Sequence, residues 1–259
     1  MISTIKFSRY LLLLLAVLNV LAVYAKPATD LRGCQLELAS VYRQEESKMH
    51  SALLNGDGWL VQYTMVSDVL NPLKKKYETV TTKGSLIAGK HMRYMKTDMV
   101  EVYMDEDDVF TINASTKSIM RTTSTLLRSR SDQDIYGIFM KDSLFKNYKL
   151  MSCAEHIFRS GDSILKYDLV PIIGGKSKCS KISVYVDPAK DELRKIEMQM
   201  NPKYGRLVQS YTIIFEKEEK MKLDKSWERL QNKVIAGNGQ VLPKYKGYTY
   251  QDLKSKKRK

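Results

Sequence analysis

Apolar and polar residues alternate over many short stretches of this chain. One stretch runs from Trp59 to Met65 and another from Val100 to Met104. The same period of two recurs in the apolar sets Leu165, Tyr167, Leu169; Ile182, Val184, Val186; Ile196, Met198, Met200; and Tyr211, Ile213, Phe215. A period of two puts alternate side chains on one face of a strand, so each stretch predicts a strand with one apolar face. Turn residues in the short connections, such as Asp187–Asp191, predict that consecutive strands pair antiparallel.

Two other segments follow a helical period. Leu36–Leu54 has rough helical spacing of apolar residues and ends at Asn55-Gly56. Asp132–Tyr148 places a second set on one helical stripe: Ile135, Ile138, Phe139, Leu144 and Phe145. A single large sheet must cover its apolar face, and two amphipathic helices can do so only in part.

The sheet has more apolar residues than two helices can cover. This pattern predicts a mainly β fold with helices (α+β). We expect a strongly curved antiparallel sheet, or incomplete β-barrel, with a helical lid over an apolar cavity. The lid residues would be Ile135, Ile138 and Phe139. The cleanest alternations give the expected cavity lining: Trp59, Val61, Tyr63, Met65, Val100, Val102, Met104, Ile196, Met198 and Met200.

The N-terminus has the pattern of a secretory signal peptide. Lys6 and Arg9 precede the apolar run Leu11–Val23, and Val23-Tyr24-Ala25 supplies small residues where a signal peptidase cuts. The run is shorter than the roughly 20 residues that cross a bilayer, which makes a retained anchor the weaker alternative. We therefore expect a signal peptide over 1–25, one domain over 26–250 and a basic tail over 251–259.

The chain is strongly basic, with a formal charge of +14 that falls to +12 when Lys6 and Arg9 are removed. An exported chain rarely meets nucleic acid, so an anionic membrane surface is the expected long-range partner. The terminal run Lys254–Lys259 fits this interpretation. It fits equally well a solvated tail that only aids solubility.

Three cysteines form an odd set in an oxidising compartment. Cys153 and Cys179 lie in segments predicted to be neighbouring strands, so we expect a disulfide between them, with Cys34 left over. The alternative of three buried thiols stays open.

Four acidic residues in a row, Asp105–Asp108, raise the question of a metal or acid–base site. Strand residues end at Met104 and resume at Val109, so the row is predicted to be a hairpin turn whose carboxylates point into water. The glycine and the bidentate Glu of a calcium loop are missing, and no metal site is expected.

No catalytic motif is present elsewhere. His50, His91 and His156 fall in different predicted elements, and the sequence contains no HExxH, repeated CxxC, GxSxG or phosphate-binding glycine loop. Cys153 and His156 would lie on opposite faces of a strand. We therefore expect a protein that is not an enzyme and has no cofactor; a hydrolase whose site the sequence does not reveal is the alternative.

One set of strand segments carries a resemblance to a known family and spans about Met49–Phe215: Lys83–Ile87, Met99–Val102 with Val109–Asn113, Lys117–Arg121, Ile182–Asp187 with Leu193–Ile196, and Thr212–Phe215. These segments resemble the strand series of the LolA family (LolA/LppX-type), the periplasmic outer-membrane lipoprotein carriers. The resemblance implies a curved half-barrel, lidded by helices, that carries the acyl chains of a lipoprotein, as a chaperone does, from an inner-membrane donor to an outer-membrane acceptor. Thirteen methionines would supply adaptable lining.

The sequence also departs from the family. Family members carry an Arg-Pro pair, after the strand that matches Gly84–Ile87, whose Arg holds the lid; here the stretch is Ala88–Arg93, so Arg93 or Lys90 is only a positional candidate. Gly237–Tyr248 extends beyond the resemblance. A sensor or accessory protein that binds lipid or a partner on the same scaffold, without transport, is therefore the alternative function.

Overall fold

A computed structural model describes residues 30–124, 141–157, 163–172, 177–203, 206–227 and 230–254. The predicted signal peptide and the predicted lid residues Ile135, Ile138 and Phe139 lie outside these ranges. Within them, no helix combines the length and the apolar character that crossing a membrane requires.

One sheet of twelve strands forms the body of the protein. The strands are β1 (Gly58–Asn71), β2 (Lys76–Ala88), β3 (Arg93–Thr97), β4 (Val100–Met104), β5 (Asp108–Asn113), β6 (Ser118–Thr123), β7 (Tyr148–Ile157), β8 (Ser163–Pro171), β9 (Cys179–Asp187), β10 (Glu192–Met200), β11 (Val208–Met221) and β12 (Thr249–Asp252). The helices are α1 (Leu31–Leu54) and α2 (Lys141–Asn147), and three 3-10 turns follow β11, at Lys225–Trp227, Leu230–Lys233 and Pro243–Tyr245.

The sheet is open, with β12 at one end and β7 at the other. Its order is β12-β6-β5-β4-β3-β2-β1-β11-β10-β9-β8-β7. Two antiparallel meanders, β1 to β6 and β7 to β11, join where β11 pairs with β1. The predicted strands and their antiparallel meander are confirmed, and β12 adds a parallel pairing with β6.

Helix α1 begins earlier than its apolar period indicates. The Asp30 side chain accepts a hydrogen bond from the backbone N of Arg32, which caps the helix five residues before the predicted start. The end at Leu54 agrees with the prediction. Only the last part of the second predicted helix lies in the described residues, as α2, and Tyr148 already belongs to β7.

The two faces of the sheet carry separate apolar cores. Paired residues of adjacent strands share a face, so Met65, Ile213 and Ile196 lie together on the face that we call the helix face. The α1 residues Leu38 and Val41 pack into this core, and both are almost fully buried. Helix α1 therefore covers the half of this face formed by the second meander and β1.

The opposite face is covered over the other half of the sheet. Phe110 and Ile112 of β5 point to this face and are buried by the segment that follows β11. That segment contributes Val234, Ile235 and Tyr245 to the core. The C-terminal segment, which lies outside the sequence resemblance, thus forms a second core.

The predicted disulfide between Cys153 and Cys179 is wrong. The structure bonds Cys153 of β7 to Cys34 of α1, with Cα atoms 6.2 Å apart. Strand β8 lies between β7 and β9, so residues of those two strands are separated by about 10 Å, too far for a disulfide. Cys179 is buried with a free thiol, and burial raises its pKa.

The acidic row forms a hairpin turn, as predicted. The expectation that all four carboxylates point into water is wrong for Asp108. Asp105 accepts hydrogen bonds from the backbone N of Asp107 and Asp108, as in an Asx turn. Asp108, however, is the first residue of β5 and is buried rather than directed into water. Its carboxylate receives two hydrogen bonds of 2.8 Å from Arg121 and an ion pair of 2.7 Å from Lys254.

These contacts explain the ionisation of Asp108 and its structural role. Burial opposes the charged form, but hydrogen bonds from Arg121 and Lys254 outweigh burial and lower the pKa of Asp108. Arg121 also contacts Asp252 of β12 at 3.3 Å. The cluster therefore ties the C-terminal strand and Lys254, predicted to belong to a basic tail, to the β5–β6 hairpin.

We predict that Cys34→Ser destabilises the protein and Cys179→Ser does not alter the disulfide. The bond closes a loop with a sequence separation of 119, for which chain entropy gives about 5 kcal/mol. Denaturant unfolding of oxidised and reduced protein measures this difference. Peptide mapping without reduction should recover Cys34 linked to Cys153, and recovery of a Cys153–Cys179 peptide would contradict the fold.

We predict that Asp108→Asn lowers the free energy of unfolding by about 2 kcal/mol, because it removes the buried carboxylate that accepts hydrogen bonds from Arg121 and pairs with Lys254. The matched control is Asp107→Asn, an exposed turn position, where a change below about 0.5 kcal/mol is expected. Equal effects of the two substitutions in denaturant unfolding would refute the assignment of Asp108.

Candidate ligand-binding face

Helix α1 leaves part of the helix face uncovered by the described residues. Its main contacts are with β1, β7, β10 and β11, so the helix packs over one end of the sheet. The helix face of β2 to β6 lies beyond these contacts. This part of the sheet contains two rows of side chains that matter for binding.

The first row is apolar and crosses four strands. Val61 pairs with Leu86, Leu86 with Met95, and Met95 with Val102, so the four side chains share the helix face. All four are half-buried, which leaves apolar surface accessible. Met120 continues this row on β6 and is 38% exposed.

The second row runs beside the first on the same face. It includes Arg93, which is the only charged side chain in the two rows. Trp59 pairs with Ala88, Ala88 with Arg93, and Arg93 with Met104, followed by Val109. The Arg93 guanidinium donates hydrogen bonds to the carbonyl oxygens of Gly89 and Met92. A positive charge is thus held in place beside the apolar row.

The pair Tyr63 and Gly84 flanks the apolar row on β1 and β2. Tyr63 is directly opposite Gly84, and its ring lies over the glycine. A Cβ atom at position 84 would be 2.4 Å from Cζ of Tyr63, so only glycine fits beneath the ring. The glycine in the run Lys83–Ile87 therefore has a packing function on the helix face.

The predicted lining residues occupy two different environments. Ile196 and Met198 lie on the helix face but are fully buried beneath α1, where they form packed core. Met65 and Met200 are partly buried against the same core. Trp59, Val61, Val102 and Met104 are half-buried members of the two rows, whereas Ala88 and Val109 of the second row are buried. Val100 begins β4 and borders a depression at the β3–β4 turn.

Sequence reasoning missed two members of the apolar row, Leu86 and Met95. Each lies in a stretch where polar, basic or glycine residues interrupt the apolar alternation, so neither stretch gave a clean period of two. The strand register supplies the missing information, because it places both residues between Val61 and Val102.

A pair of carboxyl groups lies at the seam between α1 and the sheet. Glu218 of β11 forms a hydrogen bond with Glu45 of α1, and Glu45 also accepts one of 2.8 Å from Lys48. Burial, followed by the hydrogen bond and the charge of Glu45, raises the pKa of Glu218 to about 8. The raised pKa favours the neutral form of Glu218 where it meets Glu45 of α1.

The seam borders a cavity of about 270 Å³. Trp59, Leu193 and Phe215 contribute apolar walls, and charged side chains that include Glu45 and Glu218 line the rest. Because Trp59 also belongs to the second row, the cavity connects the α1 contact with the uncovered part of the helix face.

A larger depression of about 560 Å³ lies near the β3–β4 turn, and many of its walls are polar. Lys96 and Glu101, which form an ion pair of 3.5 Å, line it together with Lys83 and Glu216. Lys96 and Glu101 point to the opposite face, since they pair in a row with Ser85 and Ile112. Its polarity does not suit an acyl chain.

No group of three or more His, Cys, Asp or Glu side chains is placed in the described ranges to hold a metal ion. His91 forms a contact of 2.7 Å with Glu106 between the β2–β3 and β4–β5 connections, at an exposed end of the sheet. The rows are the feature best suited to bind a ligand.

A comparison with solved structures found several matches of low similarity. An uncharacterised conserved protein from Thermus thermophilus matches with a TM-score of 0.38 and 11% identity, covering 76% of this chain and 98% of that one. A putative outer membrane lipoprotein-sorting protein domain from Vibrio parahaemolyticus matches with a TM-score of 0.35 and 12% identity, covering 73% and 95%. A LolA superfamily protein from Nitrosomonas europaea matches with a TM-score of 0.29 and 10% identity, covering 69% and 96%.

No protein-family model and no curated protein sequence matches the chain. At the TM-scores and identities of the structural matches, none of them identifies a functional residue here.

We predict that the Glu218 carboxyl makes stability depend on pH. Its folded pKa, about 8, lies above the ordinary 4.5, so its stabilising effect is complete below about pH 4.5 and is lost as pH rises through about 8. Glu218→Gln keeps a neutral hydrogen-bonding group and should remove this loss, so the variant should be more stable than the wild type at about pH 9.

Glu219→Gln is the matched control, because Glu219 is the next residue of β11 and pairs with Lys217 at the surface. Urea unfolding at a series of pH values measures both variants. A wild type and a Glu218→Gln variant with parallel pH profiles would contradict the assignment.

Proposed function

We propose that this protein binds the acyl chains of a lipid or lipoprotein against the uncovered half of the helix face. The observation that carries the proposal is the row Val61, Leu86, Met95 and Val102, four apolar side chains on adjacent strands that remain half-buried. A contiguous apolar surface of this kind on a folded domain is characteristic of a binding site.

The energetics favour an extended apolar ligand. Each methylene group removed from water contributes about 0.8 kcal/mol, so a chain lying along the row gains affinity from many small contacts. Met95 and Met104 have flexible, polarisable side chains that adapt to ligands of different shape. The surface also selects against ligands with charges along their length, because Arg93 is the one charged group in the two rows.

Arg93 is a better candidate than Lys90 for the residue that holds a lid or contacts a polar head group. It pairs into the second row on the helix face, whereas Lys90 is exposed in the β2–β3 connection. A guanidinium is planar and always charged, and its N–H donors match the geometry of a carboxylate or phosphate group. The predicted lid residues Ile135, Ile138 and Phe139 would complete the apolar enclosure.

The proposed biological role follows from the sequence. Export through the signal peptide would put the protein in the periplasm, where a lipoprotein or lipid needs a carrier to cross water. The sequence resemblance to the LolA family supports a carrier of lipoprotein acyl chains between an inner-membrane donor and an outer-membrane acceptor. The apolar row supplies the physical property that such a carrier needs.

We predict that Val102→Glu abolishes binding of a fluorescent fatty acyl probe while lowering the free energy of unfolding by only about 1 kcal/mol. Val102 is half-buried, so the new carboxylate reaches water but places a charge in the path of the chain. Met198→Glu, in contrast, should unfold the protein, because Met198 is 2% exposed beneath α1.

The matched control is Ile214→Glu, which introduces the same charge at a 39% exposed aliphatic residue on the opposite face. It should bind the probe with wild-type affinity. Wild-type protein that fails to bind the probe at micromolar concentration, or a folded Val102→Glu variant that binds it normally, would exclude the proposed face.

A further inference from the structure

The β1–β2 hairpin projects beyond the neighbouring strand β3. Strand β2 begins at Lys76, but β3 pairs with it only over Gly84–Ala88. The eight residues 76–83 therefore extend about 27 Å past the last pairing with β3. On the other side, β11 accompanies β1 only as far as the pair Val69–Val208, and the backbone N of Leu70 donates to the carbonyl of Leu207.

The tip of this hairpin presents apolar side chains to water. Pro72–Tyr77 is exposed throughout, and Leu73 is 93% exposed. Leu207 lies beside the tip and is 67% exposed, and the Tyr77 hydroxyl donates to the carbonyl of Arg206. Leu73, Tyr77 and Leu207 together form an apolar group at the end of a projecting arm.

The same tip is positively charged. Lys74, Lys75 and Lys76 follow Leu73 directly, and Arg206 comes next to Leu207. Glu78 neutralises one of these charges through its ion pair of 2.7 Å with Lys74. Cationic side chains therefore surround the exposed leucine, with a net positive charge.

The tip is held in one conformation. The Asn71 side-chain oxygen accepts hydrogen bonds from the backbone N of Leu73 and Lys74, and its amide donates to Glu78 at 2.9 Å. Lys75 adopts a left-handed φ of 52° and donates its backbone N to the carbonyl of Asn71. Leu73 is therefore fixed in an exposed position by a well-bonded turn.

We propose that the β1–β2 tip is a docking surface for an anionic membrane. Leu73 would enter the interfacial region of the bilayer, and Lys74, Lys75 and Lys76 would contact the lipid phosphates. Basic residues near an anionic surface and apolar residues at the headgroup level each favour binding, and this tip combines both in a rigid turn. The tip lies at the far end of β1 from Trp59 and Val61, so docking and acyl-chain binding use different residues.

The first test measures binding of the protein to vesicles of phosphatidylcholine alone and of phosphatidylcholine mixed with phosphatidylglycerol, by flotation. Wild-type protein should bind the mixed vesicles preferentially, and added salt should weaken the binding because it screens the lysines. Leu73→Ser should bind about tenfold more weakly. Leu54→Ser, at a leucine that is 70% exposed at the end of α1, is the matched control and should bind as the wild type does.

The second test changes only charge. The triple substitution Lys74→Gln, Lys75→Gln and Lys76→Gln should weaken binding to the mixed vesicles about a hundredfold.

A control triple variant removes the same charge from other turns: Lys90→Gln, Lys117→Gln and Lys190→Gln. These lysines are exposed, and Lys117 has a left-handed φ of 46°, which matches Lys75. The control should keep most of the wild-type affinity.

All variants should retain wild-type stability and acyl-probe binding, which separates this proposal from the proposed function. Two results would overturn it: wild-type protein with no preference for vesicles that contain phosphatidylglycerol, or tip and control variants that lose affinity equally. An acidic protein as the true partner would give the first result.

Discussion

Twelve strands in one sheet expose two large faces, and the chain must bury apolar side chains on both. Two different segments provide the cover, since α1 packs on the helix face over the second meander and the segment after β11 packs on the opposite face over the first. Each cover is fastened to the sheet, α1 by the bond between Cys34 and Cys153 and the C-terminal segment by the cluster around Asp108. The described residues leave the helix face of β2 to β6 with accessible apolar surface.

This division of the helix face explains why the predicted cavity residues differ in burial. Met198 and Val102 share the helix face, yet α1 packs over Met198 and not over Val102. The seam at Glu45 and Glu218 lies between these two regions, beside Trp59. A neutral Glu218 favours contact with α1, because an ionised pair of carboxylates would repel there. The seam is thus where the packed core gives way to the proposed binding surface.

The sequence predicted well what depends on local pattern. Strands such as Trp59–Met65 and Ile182–Val186 have a clear period of two, and the hairpin turns carry their expected residues. The predictions that failed depend on strand order and on contacts between residues that are distant in sequence. The cysteine pairing required the knowledge that β8 separates Cys153 from Cys179, and the burial of Asp108 depends on Arg121 and Lys254, which are distant in sequence. Leu86 and Met95 joined the candidate site only through strand register, and the lid prediction lies outside the described residues.

The central claim is that the uncovered helix face holds an acyl chain. Mass spectrometry of organic extracts from protein purified out of its native compartment tests it most directly. The account predicts a lipid or acylated species in extracts of the wild type that is depleted in extracts of Val102→Glu and retained with Ile214→Glu. Wild-type extracts with no such species, or equal amounts in all three proteins, would contradict it.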